Sequence, residues 1–193
     1  MVKQLKNYVK AAYRGPYRFV YDIGLFMIIT YGFHVFWWEF ADQIKSVPPI
    51  IESANRLAVE VFKASYWINE WVFGLNMTTE PLNVMRFENG KALEVAESCS
   101  GLKQFFQIAI LFLLFPGSWK HKLWFIPLGF LAIHVTNIVR VVILGLWMAK
   151  EIPHWDFAHD WIMRPMYYVV IFGLWYFWNE QFNTAITKQE LFR

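Results

Sequence analysis

Apolar residues in this chain fall into long blocks separated by short polar punctuation, and the length of the blocks predicts the elements. A bilayer-spanning helix needs about 20 consecutive, mostly apolar residues. Segments of that kind run from about Tyr17 to Phe40, Leu102 to Trp119, Leu123 to Met148 and Met166 to Trp178. The last is short, but its Tyr and Trp residues suit the headgroup level of a membrane. Between the first and second blocks the pattern changes. After Pro48-Pro49, residues Ile50, Ile51, Ala54, Leu57, Ala58, Val61 and Phe62 recur at helical spacing, while Glu52, Arg56, Glu60 and Lys63 take the other face. This predicts an amphipathic helix lying at the membrane interface or packed over the bundle, since its charges disfavour a fifth lipid-exposed span. Next, NVMRF and KALEV flank Glu88-Asn89-Gly90. Asn-Gly between alternating apolar residues predicts a β-hairpin. The expected fold is therefore an all-α multispan membrane protein: about four spans, an outer-face amphipathic helix and a short hairpin, in one integral-membrane domain over residues 1–193.

Composition and charge sharpen this picture. Of the 193 residues 57% are hydrophobic, with 11 Trp and 19 Phe, well beyond soluble usage. No internal repeat or flexible linker is evident, and no cleavable signal peptide is expected, because the first apolar block has spanning length with no small-residue cleavage site behind it. Lys3, Lys6, Lys10, Arg14 and Arg18 precede the first span and favour a cytoplasmic N-terminus. Threading from there puts Lys120 and Lys122 in an inner loop, Gly117–Lys122, and the tail with Lys188 and Arg193 inside. The segments from about 41 to 98 and from 150 to 165 then face outward. No Gly-rich phosphate loop or nucleic-acid patch is present, and one cysteine with scattered histidines lacks the spacing of a metal site. No cofactor is expected.

Candidate chemistry gathers on the outer side. Cys99, the single cysteine, lies in Glu97-Ser98-Cys99-Ser100-Gly101, between the hairpin and the second span. With no internal disulfide available, its use is packing or reactivity. The start of a helix, with Lys103 one turn on, favours a thiolate. In the third span Asn137 and Arg140 are three residues apart and share a face. Counting 1.5 Å per residue from Met148 puts Arg140 roughly 12 Å inside the apolar layer. An ionisable residue there is a functional candidate, against the simpler reading of an arginine snorkelling to the headgroups or paired with a carboxylate. The segment before the fourth span carries His154, Asp156, His159 and Asp160. Acyl transfer from a peptide needs a nucleophile, an acid/base and a fixed positive charge for the oxyanion or the substrate. Cysteine, histidine and arginine supply these, with either His154 or His159 available as base. His34 and His134 read as packing residues, and His121 as a solvated or headgroup contact in the inner loop.

Three motifs in order, EVAESCSGL (Glu94 to Leu102), NIVR (Asn137 to Arg140) and FAHDW (Phe157 to Trp161), resemble those of the exosortase and archaeosortase family of membrane transpeptidases. The resemblance covers about Asn83 to Trp178, and the chain is similar to the compact, single-module bacterial versions. It implies a multi-pass enzyme of the bacterial inner membrane, with both termini cytoplasmic and the site outside. Its partners would be exported proteins ending in a recognition motif, an apolar helix and a basic tail, together with membrane lipid and an acceptor molecule. Cys99 would be the nucleophile forming a thioester, Arg140 the oxyanion-stabilising or positioning group and His159 the acid/base. Glu97, Ser100, Gly101, Asn137 and Asp160 would support them or bind substrate. The other reading is a non-catalytic assembly or carrier protein whose polar residues form a structural network.

Overall fold

In the computed structural model, residues 18–183 are described. Four α-helices follow the apolar blocks and a fifth follows the amphipathic one. Helix α1 is Arg18–Lys45, α2 Pro48–Trp67, α3 Leu102–Leu114, α4 Trp119–Ala149 and α5 Arg164–Trp178. The basic residues at positions 3–14, 188 and 193, and Tyr17, lie outside the described residues.

Helices α1 and α4 are each long and apolar enough to cross a membrane. Each buries one stripe and turns the rest of its apolar surface outward. In α1 the buried stripe is Asp22, Phe26, Ile29, Phe33 and Trp37, at steps of three and four. Val20, Ile28, Tyr31 and Trp38 point away from the protein, which only an apolar surrounding would favour. By contrast, α3 has 13 residues and α5 has 15, about 20 and 22 Å at 1.5 Å per residue, against roughly 30 Å of bilayer hydrocarbon. Helix α5 is extended at both ends without a break, by π-helical turns at Phe157–Met163 and Asn179–Asn183. Among the described residues two strong candidate spans, rather than four, are thus evident from length and hydropathy.

The segment between α1 and α3 differs in one respect from the expected hairpin. Strands β2 (Val84–Phe87) and β3 (Ala92–Glu94) pair antiparallel around Asn89-Gly90, with Met85 opposite Leu93. A further strand, β1 (Met77–Glu80), adds to the free edge of β2 and makes a three-stranded sheet in the order β1-β2-β3. The sequence MTTE has too little alternation to announce itself, and tertiary context decides it. Arg86 on β2 forms an ion pair with Glu80 on β1. At the turn, Gly90 takes the left-handed conformation (φ 81°), and Asn89 Nδ2 donates to the carbonyls of Met148 and Ala149 at 2.9 and 3.3 Å. The turn residue thereby caps the far end of α4 and docks the sheet there.

Helix α2 packs over α4 with Ala54, Ala58 and Val61 buried, and its charged face is exposed. Two apolar clusters result. One fills the bundle of α1, α3, α4 and α5 around Phe112, Phe125, Ile133, Ile171, Trp175 and Trp178. The other lies under α2 and the sheet, around Val61, Met85, Val141, Leu144 and Met163. Along α4 the residues between Ile133 of the first cluster and Val141 of the second include Asn137 and Arg140, both buried. The polar groups therefore sit at the seam of two dry cores.

Between α3 and α4 the chain turns at Pro116-Gly117, where a Cβ on Gly117 would lie 2.4 Å from the Trp178 ring. Lys122, expected in a solvated loop, is instead buried on the first turns of α4. Its ammonium donates to the Leu113 carbonyl at 2.9 Å, satisfying the end of α3. His121 is likewise on the helix, stacked on Phe182.

Candidate active site

Cys99 ends a short 3₁₀ turn, Glu97–Cys99, that follows β3 and precedes α3. Gly101 makes the joint between turn and helix. It is left-handed (φ 79°), and a Cβ there would stand 3.3 Å from Asn137 Nδ2, so glycine answers both the backbone and the space. Ser100 is buried, and its hydroxyl accepts from Leu102 N–H at 3.2 Å, closing the same joint. The Cys99 side chain is partly buried against the second cluster. Lys103 turns its ammonium over the Trp38 ring, 4.7 Å from the centroid, at a cleft between α1, α2 and α3.

Asn137 reaches the Cys99 loop directly. Its Nδ2 donates to the carbonyl oxygen of Cys99 at 2.5 Å, across 38 residues of sequence. One turn further along α4, Arg140 is 7% exposed, and its NH2 meets His159 Nε2 at 3.0 Å. Arg140 is thus neither snorkelling nor paired with a carboxylate. Its NH1 also donates to the Tyr167 hydroxyl at 3.5 Å and its guanidinium lies over the Tyr167 ring, 5.7 Å from the centroid, while Nε is buried and without a hydrogen-bond partner. The other side of the His159 ring, Nδ1, meets Asp160 Oδ1 at 2.8 Å, and Arg164 reaches the same oxygen at 3.3 Å. Trp155 stacks on His159 with centroids 5.9 Å apart, and it borders the same cluster as Cys99.

The proton positions follow from the partners. Guanidinium can only donate, so His159 Nε2 facing Arg140 must hold a lone pair. The ring proton is then on Nδ1, donated to the Asp160 carboxylate. This neutral tautomer has its basic nitrogen engaged by Arg140. The His159 hydrogen bond, followed by the nearby Arg164 charge, holds the Asp160 carboxyl below the usual carboxylate range.

Of the residues singled out from sequence, Cys99, Gly101, Asn137, Arg140, His159 and Asp160 are joined in this chain of contacts, with Ser100 shaping its turn. Glu97 is not part of it. Its carboxylate faces Lys45 at 3.8 Å, on the cleft lined also by Trp37, Trp38, Ser98 and Lys103, a cavity of about 180 Å³. His154 is exposed, left-handed (φ 64°), in the loop before the π-helical turn. His134 lies on α4 with Nδ1 unpartnered, and His34 lines a crevice between α1 and α5.

Tyr167 is the residue that sequence reasoning missed. It is 4% exposed, donates to Asn137 Oδ1 and touches Arg140. In a block rich in aromatics it read as a headgroup residue. Its eight-residue offset from His159 would overshoot two α-helical turns by roughly 80°. The wide π-helical turn Phe157–Met163 takes up that excess, so both side chains reach Arg140.

The helical scaffold thus links a cysteine, an arginine and a histidine from three remote segments. A family model for transmembrane exosortases matches residues 20–177, and the chain belongs to that family. No curated protein and no solved structure matches it.

Proposed function

We propose that this exosortase is a cysteine transpeptidase or protease that cleaves the C-terminal sorting signals of exported proteins through a thioester. The observation that carries the reading is the double link from α4: Asn137 to the Cys99 carbonyl at 2.5 Å and Arg140 to His159 at 3.0 Å.

In the proposed reaction the Cys99 thiol gives its proton to His159 Nε2, which must first leave Arg140. The sulfur bonds to the scissile carbonyl carbon, and the carbonyl electron pair moves onto oxygen. Arg140, released from His159, donates to that oxyanion. Collapse of the intermediate expels the amine, which takes the proton back from His159, and leaves the substrate as a thioester on Cys99. Water or an acceptor nucleophile then attacks the thioester. Asp160 keeps His159 in the tautomer this cycle needs. The membrane arrangement belongs to the same proposal: α1, α3, α4 and α5 as four spans, the π-helical turn Phe157–Met163 outside the membrane on the outer side, both termini cytoplasmic, and Cys99 on the outer side of a bacterial inner membrane. The cleft beside Glu97 and Lys103 is available to the recognition motif.

The test uses the whole chain in membranes with a substrate ending in a motif, an apolar helix and a basic tail. Cys99→Ala is expected to abolish cleavage with normal membrane levels, and Cys99→Ser to fail as well. A membrane-impermeant maleimide added from outside should label Cys99 and inhibit. Cleavage by Cys99→Ala, or labelling only after permeabilisation, would refute the mechanism or the topology respectively, and an inert network or carrier would then be the better account.

A further inference from the structure

Asn137 can hold the Cys99 carbonyl only while its amide faces one way. A carbonyl accepts and cannot donate, so Nδ2 must point at Cys99, and Oδ1 must then face a donor. Flipped by half a turn, the amide would set oxygen against oxygen. The group at Oδ1 is the hydroxyl of Tyr167, a buried member of the first apolar cluster. Oδ1 can only accept, so the single hydroxyl proton goes to Asn137, and the phenol oxygen is left to accept from Arg140 NH1 at 3.5 Å. Each bond in the series Cys99, Asn137, Tyr167, Arg140 therefore has its direction set by the one before it. A phenylalanine would fill the same space and leave this series broken in the middle.

We propose that Tyr167 is a positioning residue: through Asn137 it holds the loop of the nucleophile, and through the same hydroxyl it ties that loop to the guanidinium of Arg140. This rests on the cysteine-enzyme reading for its consequence in catalysis, but the positioning itself does not. Tyr167 exchanges no proton with substrate. It sets where the Cys99 backbone stands relative to the positive charge, a distance on which transition-state stabilisation depends steeply.

The experiment is a double-mutant cycle on the full-length chain in membranes, with Tyr167→Phe, Asn137→Ala and the pair. Two readouts are taken: the rate of Cys99 labelling by an impermeant maleimide, and the rate of substrate processing at limiting and saturating substrate. Labelling in Tyr167→Phe is expected to rise several-fold, to the level of Asn137→Ala, with no further rise in the pair. Processing at saturation is expected to fall about tenfold or more, on the scale of a lost oxyanion donor, with KM unchanged. Asn137→Asp serves as a second probe, because it still accepts from Tyr167 but cannot donate to Cys99, and it should label as fast as Asn137→Ala. Effects that multiply in the pair, a Tyr167→Phe protein indistinguishable from wild type, or an Asn137→Asp protein that labels at the wild-type rate would each overturn the proposal. If labelling follows the expected cycle while Cys99→Ala still processes substrate, the positioning role stands and the enzyme reading falls.

Discussion

Replacing Gly101 by alanine isolates the contact on which the placement of Cys99 depends. Gly101 and Gly90 have nearly the same left-handed backbone, φ 79° and 81°, but different surroundings. A Cβ at Gly90 meets nothing within 4 Å, whereas one at Gly101 stands 3.3 Å from Asn137 Nδ2 and 3.7 Å from Ile133. Both substitutions carry the left-handed strain of an L-residue, roughly 1–2 kcal/mol. Gly101→Ala also pushes back the amide that holds the Cys99 carbonyl, and losing that hydrogen bond adds about 1 kcal/mol. The sum, about 2–3 kcal/mol acting on the Cys99 turn, corresponds to roughly a 30- to 150-fold loss of the placed conformation at 1.4 kcal/mol per tenfold. Gly90→Ala should lower the thermal midpoint and leave processing per folded molecule unchanged, because its strain stays in the hairpin turn. The assay is processing normalised to folded protein, alongside maleimide labelling of Cys99, for both variants. Equal processing and equal labelling in the two would refute the reasoning, since the Gly101 variant alone strains the Cys99 turn and crowds Asn137 and Ile133.

Arg140→Lys keeps the positive charge, but one ammonium cannot reproduce the fork that meets both His159 and Tyr167; processing should fall at least about tenfold with helical content retained, and a normal rate would mean that charge alone suffices. Asp160, with its carboxyl held low by His159, gives stability that is present above the ordinary carboxylate range and lost only as pH falls through the lower, folded-state value. The difference in thermal midpoint between wild type and Asp160→Asn should therefore be constant from neutral pH down to the ordinary carboxylate range, narrow as pH falls from there toward the lower folded-state value, and close below it; no difference already at neutral pH would show that the His159–Asp160 contact does not act on stability.

Much of the helical architecture was legible because lipid and protein interiors impose the same demand on the chain. Apolar length marks α1 and α4 without ambiguity. The alternation of Ile50, Ala54, Ala58 and Val61 with charged residues marks α2, and Asn89-Gly90 marks the β2–β3 turn. Strand β1 escaped notice because its pairing depends on the edge of β2, not on its own pattern. Lys122 was misplaced because a lysine looks solvated until a neighbouring helix end offers it a carbonyl.

For the candidate site, residue types and order single out Cys99, Asn137, Arg140 and the pair His154 and His159 as candidates. Their chemistry is scarce in apolar segments, and scarcity can be read along one dimension. Partner choice cannot. That Glu97 turns to Lys45, that His159 rather than His154 meets Arg140, and that Tyr167 belongs with Asn137 all depend on which helix faces face each other. Those choices are made by the seam between two apolar clusters on α4 and by a π-helical turn that rotates α5. Both are properties of packing between segments far apart in sequence, so local pattern carries no trace of them.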